Sequence, residues 1–294
     1  MVVETPVFVD REAVRAALEA QGYLADGALT TAIFLAQALG QPLLLEGEPG
    51  VGKTSAAQAI ARSVGSELIR LQCYEGISAG EALYEWNYPR QLLAVRTAES
   101  RGAALEDDDL FTERFLVDRP LLRAVRWSGP APAVVLLDEV DRADHEFEAL
   151  LYEFLGENSV TVPELGTFRA RRAPIVILTS NRTRELHDAL KRRCLYHWIA
   201  YPSVARAAAI VRRNVPSSAD ALVTAATAFV ARVRDTDLDK PPGLAETIDW
   251  VGALGALGVA ALDEATAIET LGTLAKTPDD LETLQRLVTE GVGG

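Results

Sequence analysis

Polar and apolar positions follow one pattern up to Tyr201-Pro202 and a different pattern after it. In the first part, short apolar runs alternate with stretches of helical spacing, which is typical of strands and helices that alternate along a parallel sheet. The predicted strands are Leu43–Leu45, Leu68–Gln72, Val134–Asp138, Ile175–Thr179 and Leu195–Ala200. The predicted helices are Asp10–Gln21, Thr30–Leu39, Ser55–Val64, Asp144–Leu155 and Arg184–Arg193. We therefore predict an α/β fold with helices on both faces of the sheet.

After Pro202 the strand pattern ends and helical spacing takes over. Four helical runs are parted by Pro216 and by Pro241-Pro242-Gly243, residues that interrupt helices. The runs are Val204–Asn214, Ala219–Val233, Thr247–Gly258 and Asp263–Lys276. We therefore predict two domains, an α/β domain over residues 1–201 and a small all-helical domain over residues 202–294.

Three stretches of the α/β part depart from the alternation. Residues 73–109 are irregular and rich in aromatic side chains, which are either core residues or part of an insertion that presents aromatic and arginine side chains to a partner. The aromatic residues are Tyr74, Tyr84, Trp86 and Tyr88. The acidic run Glu106–Asp109 is typical of a solvated loop. Residues 159–170 alternate polar and apolar positions around Pro163–Gly166, which predicts a β-hairpin.

A glycine-rich motif lies between the first buried strand and the helix after it. The segment GEPGVGKT fits G-x-x-x-x-G-K-[ST] at every fixed position. Its glycines let backbone N–H groups approach an anion, and the positive end of the next helix points to the same place. The predicted nucleotide-binding residues are Gly47, Glu48, Pro49, Gly50, Val51, Gly52, Lys53, Thr54 and Ser55. Lys53 would reach the β- and γ-phosphates, and Thr54 would ligate Mg²⁺.

Polar side chains end two further buried strands. Asp138 is the expected second anchor for Mg²⁺, and Glu139 is placed to polarise a water molecule for attack on the γ-phosphate. Glu139 as an exposed strand-end acid is the alternative. Asn181 could hydrogen-bond both a water and a phosphate oxygen, although asparagine also favours turns at strand ends.

Basic residues end the helix that follows Asn181. Lys191, Arg192 and Arg193 fit two explanations equally well. Cations are favourable at a helix C-terminus, and an arginine here could also reach the nucleotide of a neighbouring subunit.

Composition narrows the class of protein. The net charge of −13 disfavours nonspecific nucleic-acid binding. Cys73 and Cys194 show no metal-ligand spacing, so we expect free thiols in a reducing, cytoplasmic compartment. The uncharged stretch Gly27–Leu45 is broken by Gly40-Gln41-Pro42, so no membrane span is predicted. The N-terminal sequence MVVETPVFVDREAV has no secretion-signal pattern.

The order of GEPGVGKT, VVLLDEVDRAD, ILTSN and ALKRRC, with a helical domain after them, resembles an AAA+ ATPase. More narrowly, LIRLQCYEG, ALYEWNYPRQLL and RFLVDRPLLRA are similar to the MoxR family and its CoxD-like group. The resemblance implies a P-loop core with a parallel five-stranded sheet and a helical lid. It also implies ATP and Mg²⁺ as cofactors and a hexameric homo-oligomeric ring with ATP bound between subunits.

The resemblance implies roles for particular residues. Walker A is Gly47–Thr54, Walker B is Asp138 and Glu139, sensor 1 is Asn181, and the arginine finger is Arg193 with Arg192 as the close second. Residues 159–170 are the pre-sensor hairpin, and the aromatic stretch near 84–93 belongs to a helix-2 insert. The family's sensor-2 arginine is absent from Pro241–Trp250, so coupling of the lid to the γ-phosphate differs or uses another residue.

The resemblance further implies partners and a client. Family members work with a von Willebrand A-domain protein to mature metalloenzymes, and the CoxD-like group is tied to molybdenum-containing carbon monoxide dehydrogenase. Two alternatives are an AAA+ NTPase that acts on nucleic acid and a small-molecule kinase. The acidic pI of about 4.8 argues against the first, and the trailing helical domain gives the second little support. The absence of N-K-x-D favours adenine over guanine.

Overall fold

The computed structural model describes residues 7–291. The predicted lack of a secretion signal rests partly on residues 1–6, which lie outside this range. The helices are α1 (Arg11–Ala20), α2 (Gly27–Leu39), α3 (Lys53–Ser63), α4 (Ala79–Ala82), α5 (Tyr88–Ser100), α6 (Asp107–Leu110), α7 (Pro120–Val125), α8 (His145–Glu157), α9 (Asp188–Lys191), α10 (Val204–Asn214), α11 (Asp220–Arg234), α12 (Leu244–Ala256), α13 (Glu264–Thr270) and α14 (Pro278–Thr289). The strands are β1 (Leu43–Gly47), β2 (Leu68–Gln72), β3 (Tyr84–Trp86), β4 (Leu116–Asp118), β5 (Val134–Asp138), β6 (Ser159–Val162), β7 (Gly166–Arg169), β8 (Ile175–Ser180) and β9 (Leu195–Ile199).

These elements form two compact units. The first, the α/β unit, contains the described residues up to Gln21 together with Ala25–Glu46 and Thr54–Trp198. The second, the helical unit, contains Gly22–Leu24, Gly47–Lys53 and the described residues from Ile199 onward. The predicted domain limits, 1–201 and 202–294, differ slightly from this division and remain a prediction.

A five-stranded sheet in the order β2-β5-β8-β1-β9 is the centre of the α/β unit. Strands β2, β5, β8 and β1 pair in parallel, and every residue of β1 and β5 is buried. Because successive side chains of a strand point to opposite faces, complete burial means that both faces are covered. The predicted α/β fold with a parallel five-stranded sheet is therefore confirmed, and the carboxyl ends of β1, β5 and β8 share one edge.

The irregular region after β2 is more ordered than its sequence indicates. It contains the 13-residue helix α5 and an antiparallel pair of β3 and β4. Trp86 is buried and packs edge-on against Phe111, whereas the Tyr88 side chain is 62% exposed. Trp86 is thus a core residue, as the first interpretation states, and presentation of exposed residues such as Tyr88 to a partner remains a prediction. The acidic run after α5, predicted as a loop, forms the short helix α6 instead.

The hairpin predicted between residues 159 and 170 is confirmed. β6 and β7 pair antiparallel, with Ser159 opposite Arg169 and Val162 opposite Gly166. Val160 and Val162 are buried, while the intervening Thr161 is exposed, as the alternation of its sequence requires.

Helices α10 to α14 build the core of the helical unit around Trp250. The indole is fully buried, stacks at a tilt on Phe229, and donates from Nε1 to the Thr270 hydroxyl at 2.7 Å. α14 was not among the predicted helical runs; its N-cap is Thr277, which accepts from the Asp280 amide. Across residues 7–291, no helix is both long and apolar enough to cross a membrane.

Candidate functional site

The glycine-rich loop adopts a conformation that its glycines make possible. Gly50 and Gly52 have φ angles of 77° and 93°, which non-glycine residues rarely adopt. A Cβ atom on Gly47 would overlap the carbonyl oxygen of Ile199, so this position has no room for a side chain. The loop is therefore fixed by glycine at three positions of its motif.

Lys53 lies at the end of this loop and at the start of α3. Its ammonium group is nearly buried and donates at 2.8 Å to the carbonyl oxygens of Gly47 and Glu48. The first N–H groups of a helix have no partner inside it, so the start of this 11-residue helix adds a positive partial charge to the loop. A lysine and backbone N–H groups around a glycine-rich turn are features that phosphate-binding sites share.

Within the helical unit, the loop packs against the start of α12. Gly50 and Gly243 approach so closely that a Cβ atom on Gly243 would lie 3.0 Å from the Gly50 Cα. Glu48 forms an ion pair with Arg234 of α11, and the Arg234 guanidinium lies 3.9 Å from the centre of the Tyr201 ring. Arg234 was not predicted as a site residue, because its partners are distant along the chain.

Asp138, at the carboxyl end of β5, is the centre of a polar cluster in the α/β unit. Its side chain is 4% exposed. The hydroxyl of Thr54 lies 3.1 Å from Asp138 Oδ1, and the hydroxyl of Thr179 donates to the same oxygen at 2.5 Å. Arg70 of β2 donates to Oδ2 from Nε at 2.9 Å and from Nη2 at 2.6 Å. The structure thus brings together the predicted pair Thr54 and Asp138, and adds two partners that the sequence did not indicate.

The chemistry of this cluster fits a magnesium ion. Mg²⁺ prefers oxygen ligands and binds through one or two carboxylates together with phosphate oxygens and water. Thr54 and Asp138 supply a hydroxyl and a carboxylate oxygen 3.1 Å apart. Among the side chains that the structure describes, which exclude that of Asp107, no group of three or more from His, Cys, Asp or Glu could hold a metal ion by itself. The residues present therefore suit a magnesium ion that arrives with a phosphate ligand.

Glu139 follows directly and has an unusual backbone conformation. Its φ of 56° and ψ of 49° lie in the left-handed region, which costs a non-glycine residue about 1–3 kcal/mol. Its amide donates to the Thr179 hydroxyl at 2.9 Å, and its Oε2 accepts from Gln72 Nε2 at 3.1 Å. Arg142 forms an ion pair with the same oxygen at 3.1 Å. The side chain remains 30% exposed, so water can reach the carboxylate.

Asn181 follows β8, next to the end of β5 in the sheet. The backbone N–H of Asn181 donates to the buried Asp141 carboxylate at 3.2 Å. The same carboxylate also accepts from the backbone N–H and the hydroxyl of Thr183. The segment after β8 is therefore anchored to the segment after β5 by one carboxylate. Arg182, the next residue, has a φ of 59°.

Arg192 and Arg193 lie away from this cluster along the chain, and both are exposed. Arg193 donates to the carbonyl oxygen of Ala189 at 2.9 Å and lies 4.7 Å from the centre of the Tyr152 ring. Both contacts are at the surface, where a long cationic side chain can exchange partners at little cost.

Burial controls the ionisation of both thiols. Burial raises the pKa of the Cys73 thiol to about 12, and the carboxylates Asp138, Asp141 and Glu139 contribute to the increase. Burial also raises the pKa of Cys194 to about 12. Both thiols are therefore protonated at pH 7, which makes them poor nucleophiles.

Residues 42–194 match the family described as the AAA domain, dynein-related subfamily. The match covers more than half of the 294 residues, so the chain belongs to that family.

Among solved structures, three of RuvB from Thermotoga maritima are similar to this chain, one of them described as a Holliday junction branch migration motor and the others as point variants. Each is 17% identical, with TM-scores of 0.48, 0.46 and 0.47. The alignments cover 93, 94 and 92% of this chain and 72, 74 and 71% of the RuvB chains. Among curated proteins, no sequence matches the chain significantly.

Proposed function

We propose that this AAA-family protein is a magnesium-dependent ATPase. The observation that carries the proposal is the contact between Thr54, the last residue of the phosphate-binding motif, and Asp138, the buried strand-end carboxylate that precedes Glu139. A phosphate loop, a shared magnesium ligand set and an adjacent second carboxylate are the parts that hydrolysis of a nucleoside triphosphate requires.

Each residue then has a defined task. Lys53 and the loop amides hold the β- and γ-phosphates, and Thr54 and Asp138 hold the magnesium ion. When bound, the ion neutralises charge on the phosphate oxygens. Glu139 accepts a proton from the water that it orients, and Asn181 positions that water or a phosphate oxygen.

A positive charge from a second copy completes the proposed site. Arg193, or Arg192 as the close second, extends from the surface of one subunit toward the nucleotide of the next. A guanidinium group in that position stabilises negative charge that develops on the phosphoryl group. The proposal therefore includes a homo-oligomeric ring, expected to be a hexamer by resemblance to MoxR-type proteins.

The narrower proposal concerns what hydrolysis is used for. The similarity of LIRLQCYEG, ALYEWNYPRQLL and RFLVDRPLLRA to the MoxR family and its CoxD-like group supports a chaperone-like role. In that role the ring remodels or matures a metalloenzyme of the molybdenum carbon monoxide dehydrogenase type, together with a von Willebrand A-domain partner. The exposed Tyr88, Leu92 and Leu93 on α5 offer apolar side chains for such contacts.

Replacement of the proposed base tests the ATPase proposal. Glu139→Gln keeps the shape of the side chain but cannot accept the proton, so ATP binding should persist while turnover falls about 10²–10⁴-fold. Glu164→Gln, in the turn between β6 and β7, is a matched control that should hydrolyse ATP at the parental rate. Turnover of the Glu139→Gln variant at the parental rate would refute the assignment.

The client proposal needs a different measurement. Glu139→Gln should trap the ATP-bound form, so a metalloenzyme and a von Willebrand A-domain protein should co-purify with it from the native host in ATP but not without it. If double-stranded or single-stranded DNA instead raises ATP turnover several-fold, the alternative of an NTPase that acts on nucleic acid replaces the client proposal.

A further inference from the structure

The carboxylate assigned to magnesium has a protein cation as its partner. Arg70 donates two hydrogen bonds to Asp138 Oδ2, while Oδ1 accepts from Thr179 at 2.5 Å and lies 3.1 Å from the Thr54 hydroxyl. Both carboxylate oxygens therefore have donors, and the positive charge of the guanidinium balances the buried negative charge.

Strand register explains how Arg70 reaches this position. Gln72 lies opposite Asp138 and Arg70 lies opposite Leu136 in the parallel pair of β2 and β5. Arg70 and Gln72 are two residues apart, so their side chains lie on one face of the sheet, and the long arginine side chain spans the diagonal distance to Asp138. Gln72 Oε1 accepts from Arg70 Nη2, which fixes the orientation of the guanidinium group.

The solvent exposure of Arg70 indicates that its side chain can move away from Asp138 into water. Its side chain is 50% exposed, whereas that of Asp138 is 4% exposed. The aspartate is thus fixed in the core, whereas the arginine can rotate into water once another cation replaces it beside Asp138. A magnesium ion with its water ligands needs access to the same carboxylate and carries a like charge, so both cations cannot share Asp138 without a large repulsion.

We propose that Arg70 competes with Mg²⁺ for Asp138, so that the guanidinium holds the carboxylate when the metal is absent and moves into solvent when the metal binds. This inference rests on the proposed nucleotide site. Its consequence is a higher magnesium requirement: the competing ion pair lowers the apparent affinity for the metal, because part of the binding free energy is used to displace Arg70.

A thermodynamic cycle tests the competition directly. The Kd of a fluorescent ADP analogue is measured in EDTA and in Mg²⁺. The Kd in EDTA divided by the Kd in Mg²⁺ reports the coupling between nucleotide and metal. The wild type is compared with Arg70→Gln, Arg70→Lys and Arg123→Gln. Arg123 of α7 pairs with Glu67 at the surface, so Arg123→Gln removes the same charge from an ion pair that does not include Asp138 and is the matched control.

We expect the ratio to rise about tenfold in Arg70→Gln, to change by an intermediate factor in Arg70→Lys, and to stay constant in Arg123→Gln. An unchanged or lower ratio in Arg70→Gln, with binding in EDTA intact, overturns the competition but leaves the nucleotide site in place. If the wild type binds no nucleotide in either buffer, both the proposed function and the proposed competition between Arg70 and Mg²⁺ are refuted.

A second measurement on the wild type avoids dependence on the stability of the variants. The ¹⁵N signal of the Arg70 Nε–H group, assigned from its absence in Arg70→Lys, should be protected from exchange without metal. Addition of Mg²⁺ and ADP should remove that protection, whereas ADP in EDTA should not. Protection that persists in Mg²⁺ and ADP contradicts the proposal.

Discussion

At the scale of single residues, one hydroxyl group organises both proposed catalytic carboxylates. Thr179 donates to Asp138 and accepts from the backbone amide of Glu139. The second of these hydrogen bonds stabilises the left-handed backbone of Glu139, a conformation that persists only where the surroundings over-determine it. Thr179 therefore orients Glu139 through its backbone, without itself contacting a substrate.

Removal of this hydroxyl should affect stability and activity together. Thr179→Val keeps the shape of the buried side chain but leaves one acceptor and one donor without a partner, so we expect the free energy of unfolding to fall by about 1–3 kcal/mol. ATP turnover should fall as well. Urea denaturation and a turnover assay measure the two effects. Thr97→Val on the exposed face of α5 is the control, and an equal loss in both variants would contradict this role.

The buried thiols give a prediction about pH. The pKa of Cys73 and of Cys194 rises from an ordinary value of 9.0 to about 12 on folding. Below pH 9 both states bind the proton, so stability is unaffected; between pH 9 and 12 only the unfolded state loses it, so stability falls as the pH rises. We expect Cys73→Ala to lose less stability than the parent protein when the pH rises from 8 to 10.5. Thermal unfolding at each pH measures the loss. Parallel pH profiles for the two proteins would contradict the shift.

The sequence indicated some of these residues and not others, for physical reasons. Asp138 and Glu139 were predictable because they end a buried apolar run. Arg70 and Gln72 were not singled out, although their alternation with Ile69 and Leu71 already places both on one face of β2. Their partner depends on which strand lies beside β2, and that neighbour is separated from it by more than sixty residues.

At the scale of elements, the predicted helices and strands agree with the structure where the apolar residues follow a single clear pattern. The buried strands β1, β5 and β8 were predictable because runs of three or four consecutive apolar residues leave few alternatives. Helix α5 was missed because its sequence, YPRQLLAVRTAES, has only one buried residue, Gln91, and so lacks an apolar stripe. Its N-terminus is nevertheless defined by Asn87, which accepts from the Arg90 amide, and by Pro89 in the first turn.

Close packing of two glycines in the helical unit gives an element-scale prediction. A methyl group on Gly243 would lie 2.9 Å from the Pro49 carbonyl oxygen and 3.0 Å from the Gly50 Cα, so Gly243→Ala should shift the phosphate loop. We expect weaker binding of the fluorescent ADP analogue and a loss of about 1–3 kcal/mol in stability.

Gly252→Ala, nine residues after Gly243 and inside α12, is the matched control. A Cβ atom there meets only the Val215 Cγ1 at 3.8 Å, so this variant should be neutral or more stable by up to about 1 kcal/mol. Equal nucleotide affinity in the two alanine variants would show that the loop tolerates the displacement.

At the scale of the whole molecule, the family and the fold were predictable because several motifs occur in one order. A phosphate loop alone indicates nucleotide binding, whereas its order relative to Asp138, Asn181 and the basic helix end narrows the class. Physical chemistry predicts neither the proposed client nor the proposed ring, because a net charge of −13 and exposed apolar side chains restrict partners without naming one.

Mixing of two inactive variants tests the proposed ring. Arg193→Ala should remove the arginine supplied to a neighbour, and Lys53→Ala should remove phosphate binding in its own subunit. Each alone should lose most of its ATP turnover, and the mixture should recover part of it because some interfaces combine an intact loop with an intact arginine. Arg192→Ala should be less impaired than Arg193→Ala. Full turnover by either single variant, or a protein that stays monomeric with saturating nucleotide, would contradict the ring.

The ion pair between the buried Glu148 and the partly exposed Arg184 restricts which substitutions this protein can tolerate in evolution. Glu148 of α8 is fully buried, accepts from the His187 amide at 3.0 Å and lies 2.5 Å from Arg184 Nη2. The Arg184 side chain is 27% exposed, so water can solvate it if Glu148 is lost. Loss of Arg184, in contrast, leaves the Glu148 carboxylate buried and uncompensated, which costs about 3–5 kcal/mol. Homologues that lack the arginine at position 184 should therefore also lack the acidic residue at position 148.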